Sequence, residues 1–209
     1  MFIRFVFRLF ETWIDPYYRS GDLRPPRSLG AFIWYYVGQA KGPFLAMAVL
    51  GGAVAVLEAA LFWFVGHLVD ILDKVKPGEG WSGLLAGHGA ALLGMVFVVL
   101  IVRFVVVSLG ALVEEQVVVP GFLNLVRWQA YRHVARQSVE FFQNDFSGRV
   151  VSKVWSAGQA TGDLVVSLLQ VVWFIIIYAA STIALVGGLD WRLALVIAVW
   201  IGIFLLLAR

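Results

Sequence analysis

The sequence contains no cysteine. It therefore forms no disulfide framework, no thiolate nucleophile and no cysteine-based zinc site. Charge is scarce too: 14% of its 209 residues are Asp, Glu, Lys or Arg, where about 25% is usual in a soluble domain. A water-exposed globule cannot cover itself with so few charges. The three histidines, His67, His88 and His133, stand apart without metal-ligand spacing. Neither Ser108, Ser167 nor Ser181 has a histidine at hydrolase spacing. What abounds is apolar: 61% of residues are hydrophobic, against roughly 45–50% in soluble chains. Disorder is excluded by that content together with a net charge of only +3. A membrane protein is what remains, and there a small positive excess reports cytoplasmic loops more often than nucleic-acid binding. Glu114, Glu115 and Glu140 dilute any basic patch around Arg127, so no nucleic-acid partner is expected.

Four apolar runs predict four spans, at about 43–69, 89–113, 164–186 and 193–209. A bilayer core needs about 20 apolar residues of helix. The runs lack period-2 alternation, which favours helices over barrel strands. The expected class is all-α, a polytopic membrane bundle. Ahead of the first run, residues 1–42 read as an interfacial segment with an elbow helix. Arg4, Arg8 and Glu11 make one polar stripe among Phe2, Phe5, Phe7, Phe10 and Trp13. No long apolar stretch or small-residue cleavage site marks a signal peptide. Ser28 is placed to cap a second short helix carrying Phe32, Trp34, Tyr35 and Tyr36 at headgroup level. Gly42-Pro43 marks the bend into the first span.

Lys and Arg alternate in number between the runs. Arg4, Arg8, Arg19, Arg24, Arg27 and Lys41 precede the first; only Lys74 and Lys76 come after it. Arg127, Arg132, Arg136, Arg149 and Lys153 lie between the second and third; Arg192 stands alone after the third. The positive-inside rule then puts the N-terminus and segment 114–163 in the cytoplasm. That segment has helical periodicity from Phe122 to Phe142, with Arg136 and Glu140 at i,i+4. A turn is predicted at Gln143–Gly148 and a new helix from Arg149. Spans two and three thus extend as a helical hairpin, some 35–40 Å beyond the bilayer at about 1.5 Å per residue. Such a lever suits contact with another domain, and also suits an ordinary solvated hairpin.

Phe141-Phe142-Gln143-Asn144-Asp145-Phe146-Ser147-Gly148-Arg149-Val150-Val151-Ser152-Lys153 resembles the first intracellular loop of ATP-binding cassette (ABC) exporters with a type-1 transmembrane domain. Gly66-His67-Leu68-Val69-Asp70 is similar to that family's ending of span one. Leu189-Asp190-Trp191-Arg192-Leu193-Ala194-Leu195 resembles its very short turn between spans three and four. The resemblance covers about residues 30–209, and makes 43–209 a partial type-1 transmembrane domain. Two departures stand out: Lys153 replaces the usual Arg, and Ala157 the usual Asp. Ala157-Gly158 and Gly162 are expected to loosen this stretch.

The resemblance implies an ATP-driven exporter of lipid, drug or peptide-like substrate. It would work as a homo- or heterodimer in the bacterial inner (plasma) membrane. Phe141, Phe142, Asp145, Phe146, Gly148 and Arg149 would contact a nucleotide-binding domain, with Gly148→Pro expected to uncouple ATPase from transport. ATP and Mg are implied for that domain alone. The sequence has no Gly-x-x-x-x-Gly-Lys-[Ser/Thr] loop to cradle phosphates, so the expectation is a fragment of a longer product with no catalytic, cofactor or metal residue of its own. The alternative is a non-transporting four-helix scaffold or assembly protein. Within the spans, Glu58 and Arg103 lie at similar depth. They either line a polar path that meets substrate or form a structural pair between helices.

Overall fold

The computed structural model describes residues 7, 10–18, 26–74, 80–144 and 147–207. Among these residues every regular element is helical. Helix α1 is Leu29–Val37 and α2 is Lys41–Lys74. Then comes α3, a continuous rod over 80–134 interrupted by two π-helical stretches, Val98–Val102 and Val113–Phe122. A short helix α4, Val139–Asn144, leads to the second rod, α5, over 147–189, which holds a third π stretch at Leu168–Trp173. Helix α6 is Trp191–Leu207.

Length and composition make three stretches, Lys41–Asp73, Gly87–Val134 and Gly148–Gly188, capable of crossing a membrane; Trp191–Ile203 is a shorter apolar helix. Little of their apolar surface is covered by the chain itself: in the most apolar part of the second, nothing is buried. Leu100, Phe104, Phe62 and Ile176 all stand exposed. Water would penalise such a surface at about 25 cal/mol per Å², so lipid or further protein must cover it.

Pro43 sits in the first turn of α2, where its missing N–H costs nothing. The break before α2 falls at residues 38–40. Ser28 occupies the N-cap position of α1, but its side chain makes no capping bond; its carbonyl accepts from the Phe32 amide at 2.9 Å.

The chain divides into two compact units. Unit one joins Met1–Val49 to Ser108–Val171. Its core is Val117, Val118, Phe122, Leu125 and Val126, all essentially without exposure. Phe44 packs edge-on against Phe122, ring centroids 4.8 Å apart. Pro120 falls inside the second π stretch. A proline in a regular α register would break a ladder bond and clash with the preceding turn; Pro120 falls where the ladder has already left the α register. Beside it, an ideal Cβ on Gly121 would lie 2.8 Å from Ile14 Cβ, so only glycine lets the N-terminal segment lie this close. Tyr36 is buried. Burial, helped by neighbouring Tyr35, pushes its hydroxyl up to about 12 from an ordinary 10.0. The raised value stabilises the fold fully below pH 10.0 and that contribution is lost as pH climbs from there to about 12. Alkaline unfolding should therefore shift to higher pH in Tyr36→Phe, monitored by circular dichroism.

Unit two joins Leu50–Val107 to Val172–Arg209. Among its described residues Ala55 and Ala59 are the most buried. The link between α5 and α6 is the single extended residue Asp190 (φ −152°, ψ 118°). Its carboxylate accepts from the Arg192 amide at 2.9 Å, capping α6. At this hairpin an ideal Cβ on Gly187 would meet Ala194 Cβ at 3.4 Å.

Candidate functional site

The hairpin tip is built by two helical segments of unit one, Leu123–Val134 of α3 and Ser147–Ser167 of α5. They approach closely because α5 offers glycine on the facing side. An ideal Cβ on Gly158 would lie 2.5 Å from Arg127 Cγ and 3.0 Å from the Leu123 carbonyl; one on Gly162 would lie 2.7 Å from Leu123 Cδ2. The expected loosening is thus reversed: with no Cβ in the way, Gly158 and Gly162 tighten the joint. Small residues four apart form a flat stripe on a helix, and that spacing was the available signal in the sequence. Around the joint, the Arg127 guanidinium lies 3.8 Å over the Trp155 ring. Arg127 Nη2 donates to Gln159 Oε1 at 3.1 Å, and Gln159 Nε2 donates to Asp163 Oδ1 at 3.0 Å. Nothing local in the sequence announces the contacts of Arg127 with Trp155 and Gln159, because they cross between rods.

The first rod ends at Val134, not Phe142. Ser138 explains the difference. Its hydroxyl accepts from the Phe141 amide at 3.4 Å and starts α4, with Glu140 in the first turn where the helix dipole favours it. Arg136 falls in the turn between the two helices, so Arg136 and Glu140 do not share one. Phe141 and Phe142 meet edge to face at 5.4 Å and are 38% and 42% exposed. Asp145 and Phe146 lie outside the described residues. Gly148 is the second residue of Ser147–Ser167 and is exposed, as is Arg149. Beside the tip runs an apolar groove of about 690 Å³, walled by Tyr17, Tyr131, Phe142, Val150, Val151 and Trp155.

In unit two, Glu58 of α2 and Arg103 of α3 form an ion pair. Arg103 Nη2 donates to Glu58 Oε1 at 2.6 Å and Arg103 Nε to the same oxygen at 3.1 Å. The Glu58 and Arg103 side chains are 29% and 43% exposed, respectively. Arg103 comes directly after the π stretch Val98–Val102, and its amide bonds back five residues to the Val98 carbonyl. That wide turn adds a residue to the rod and so rotates the helical segment beyond it, an adjustment common at functional positions. Among the described residues no group of three His, Asp or Glu side chains is placed to hold a metal.

No family model matches the chain, and no solved structure matches it. One curated relative does, a Haemophilus influenzae protein described as an uncharacterized ABC transporter ATP-binding protein. The two are 32% identical over 207 residues, 98% of this chain. The chain is similar to an ABC transporter polypeptide. It spans about a third of that relative's length (32%), so most of the ABC transporter polypeptide has no counterpart in this sequence.

Proposed function

We propose that the chain forms part of the membrane domain of an ATP-driven exporter with the type-1 arrangement. The hairpin of α3 and α5 would carry the movement of a nucleotide-binding domain to the spans. The observation that carries this proposal is the tip itself: two rods locked by Gly158 and Gly162 end in a short helix whose Phe141 and Phe142 stand half exposed. Half-exposed aromatics beside an apolar groove are what a partner domain covers. Similarity to an ABC transporter polypeptide about three times as long supports a nucleotide-binding part outside this sequence. No phosphate loop is present here, so ATP and Mg would be held there. The chemistry they supply is phosphoanhydride hydrolysis, and the residues described above would receive only its mechanical result.

On this proposal Phe141 faces the cytoplasm of the bacterial inner membrane, as does the N-terminus, and two subunits work together by rocking between inward- and outward-facing states. These 209 residues contain no cysteine, so a labelling test needs only the cysteines outside them replaced, with one cysteine kept or placed in the nucleotide-binding domain. In the full-length transporter, Phe141→Cys should cross-link to the nucleotide-binding domain. It should also resist an impermeant maleimide on intact cells and react once the membrane is opened. Labelling from outside, or no cross-link, refutes the proposal. A four-helix scaffold with no motor would give inside-only labelling and no cross-link.

A further inference from the structure

Unit two holds a cavity of about 490 Å³ between the second half of α2 and the end of α5, within the size range of small-molecule sites. Its walls include Phe62, Trp63, His67, Asp70, Tyr178 and Thr182. The lining has one carboxylate and, among the described residues, no Lys or Arg. Its one basic group, the His67 imidazole, is stacked flat on Trp63, with centroids 5.1 Å apart and rings 6° from parallel. Asp70 takes part in no ion pair or hydrogen bond among the described residues. Thr182 donates to the Tyr178 carbonyl at 2.9 Å, so its hydroxyl oxygen keeps lone pairs for a donor.

Each of these features favours the same sign of charge. Aromatic faces carry a negative quadrupole and attract cations. An unpaired carboxylate at the rim of an apolar cavity does so more strongly. An anion would meet repulsion from both. We propose that this cavity binds an aromatic or alkyl-substituted organic cation, its apolar groups against Phe62, Trp63 and Tyr178 and its charge toward Asp70. As a ligand site it requires only that unit two lies in a membrane. As a substrate site it rests on the exporter proposal above.

Tetraphenylphosphonium and tetraphenylborate test it, being alike in shape and opposite in charge. Both are titrated by equilibrium dialysis against the full-length protein in detergent, without ATP. Tetraphenylphosphonium should bind saturably, and Asp70→Asn should weaken it by roughly tenfold or more while leaving tetraphenylborate unchanged or tighter. Gly66 lines the cavity, and a Cβ there meets nothing within 4 Å, so Gly66→Leu fills the space without straining the helix. That variant should abolish cation binding with an unchanged melting temperature. Equal affinity for the cation in wild type, Asp70→Asn and Gly66→Leu overturns the proposal, since it marks partitioning into detergent or bulk apolar surface. Binding that survives while Phe141→Cys fails its cross-link would sink the exporter proposal and leave this one standing.

Discussion

Gly158→Leu is expected to abolish most of the folded, monodisperse protein, with Gly158→Ala and Gly162→Ala next in decreasing order. The order comes from what each new atom meets. At Gly158 an ideal Cβ lies 3.0 Å from the Leu123 carbonyl, which is backbone, and 2.5 Å from Arg127 Cγ. Backbone yields only by moving the whole rod. At Gly162 the nearest obstacle is Leu123 Cδ2 at 2.7 Å, the end of a side chain that can change rotamer. Forcing extra atoms into a packed joint costs about 1–3 kcal/mol, and leucine at Gly158 should exceed that range because it also displaces Arg127 from Trp155. Gly51→Ala is the control, since a Cβ there meets nothing within 4 Å. Thermal unfolding of the purified full-length protein reads the series. Equal melting temperatures for Gly158→Leu and wild type would show that the rods are not held together here, and the lever proposed for them would lose its stiffness.

That result would bear on how the lever works. A hairpin transmits force only if its two helices move as one body. Unit one meets this requirement at the joint: the glycine contacts set the approach, and Arg127 stacked on Trp155 sits across it. Val150 is buried while its neighbour Val151 is exposed. Under the exporter proposal, the exposed aromatics of α4 are where a partner domain would push on the hairpin that this joint holds together.

Much of this was legible in the sequence, and the reasons for the remainder are physical. Apolar runs at 43–69 and 164–186 needed only length and hydropathy, and they fall inside Lys41–Asp73 and Gly148–Gly188. The short link at Asp190 was legible only through the resemblance to the exporters' turn between spans three and four; its physical basis is the Asp190 carboxylate that caps α6. The end of α3 was not. Periodicity continues through Phe142, and only Ser138, a capping residue among charged neighbours, shows that the chain turns sooner. The first π stretch leaves no compositional mark: Val98–Val102 is five aliphatic residues like those on either side. Gly158 and Gly162 misled because glycine is ambiguous, freeing a chain in isolation and admitting a neighbour when one is there. Which of the two holds depends on Leu123 and Arg127, some 35 residues away in sequence.

Glu58→Gln should damage the protein more than Arg103→Gln, and the double variant less than either. The two side chains share one carboxylate oxygen, at 2.6 and 3.1 Å from two guanidinium nitrogens. Removing Glu58 leaves a guanidinium in apolar surroundings, and a guanidinium does not lose its proton in proteins. On insertion scales that costs about 2.5–3.5 kcal/mol at the middle of a span. Replacing both by glutamine leaves two neutral amides able to bond to each other. Exchanging the charges, Glu58→Arg with Arg103→Glu, should restore melting temperature and yield toward wild type if the pair does no more than join α2 to α3. The partial exposure of both side chains, 29% for Glu58 and 43% for Arg103, leaves the second role measurable. If the pair also meets a transported molecule, the exchanged protein will fold normally and lose ligand-stimulated ATPase. Equal damage from the two single variants would show that neither charge is isolated from water, and α2 and α3 would then meet in a wet cavity at this depth.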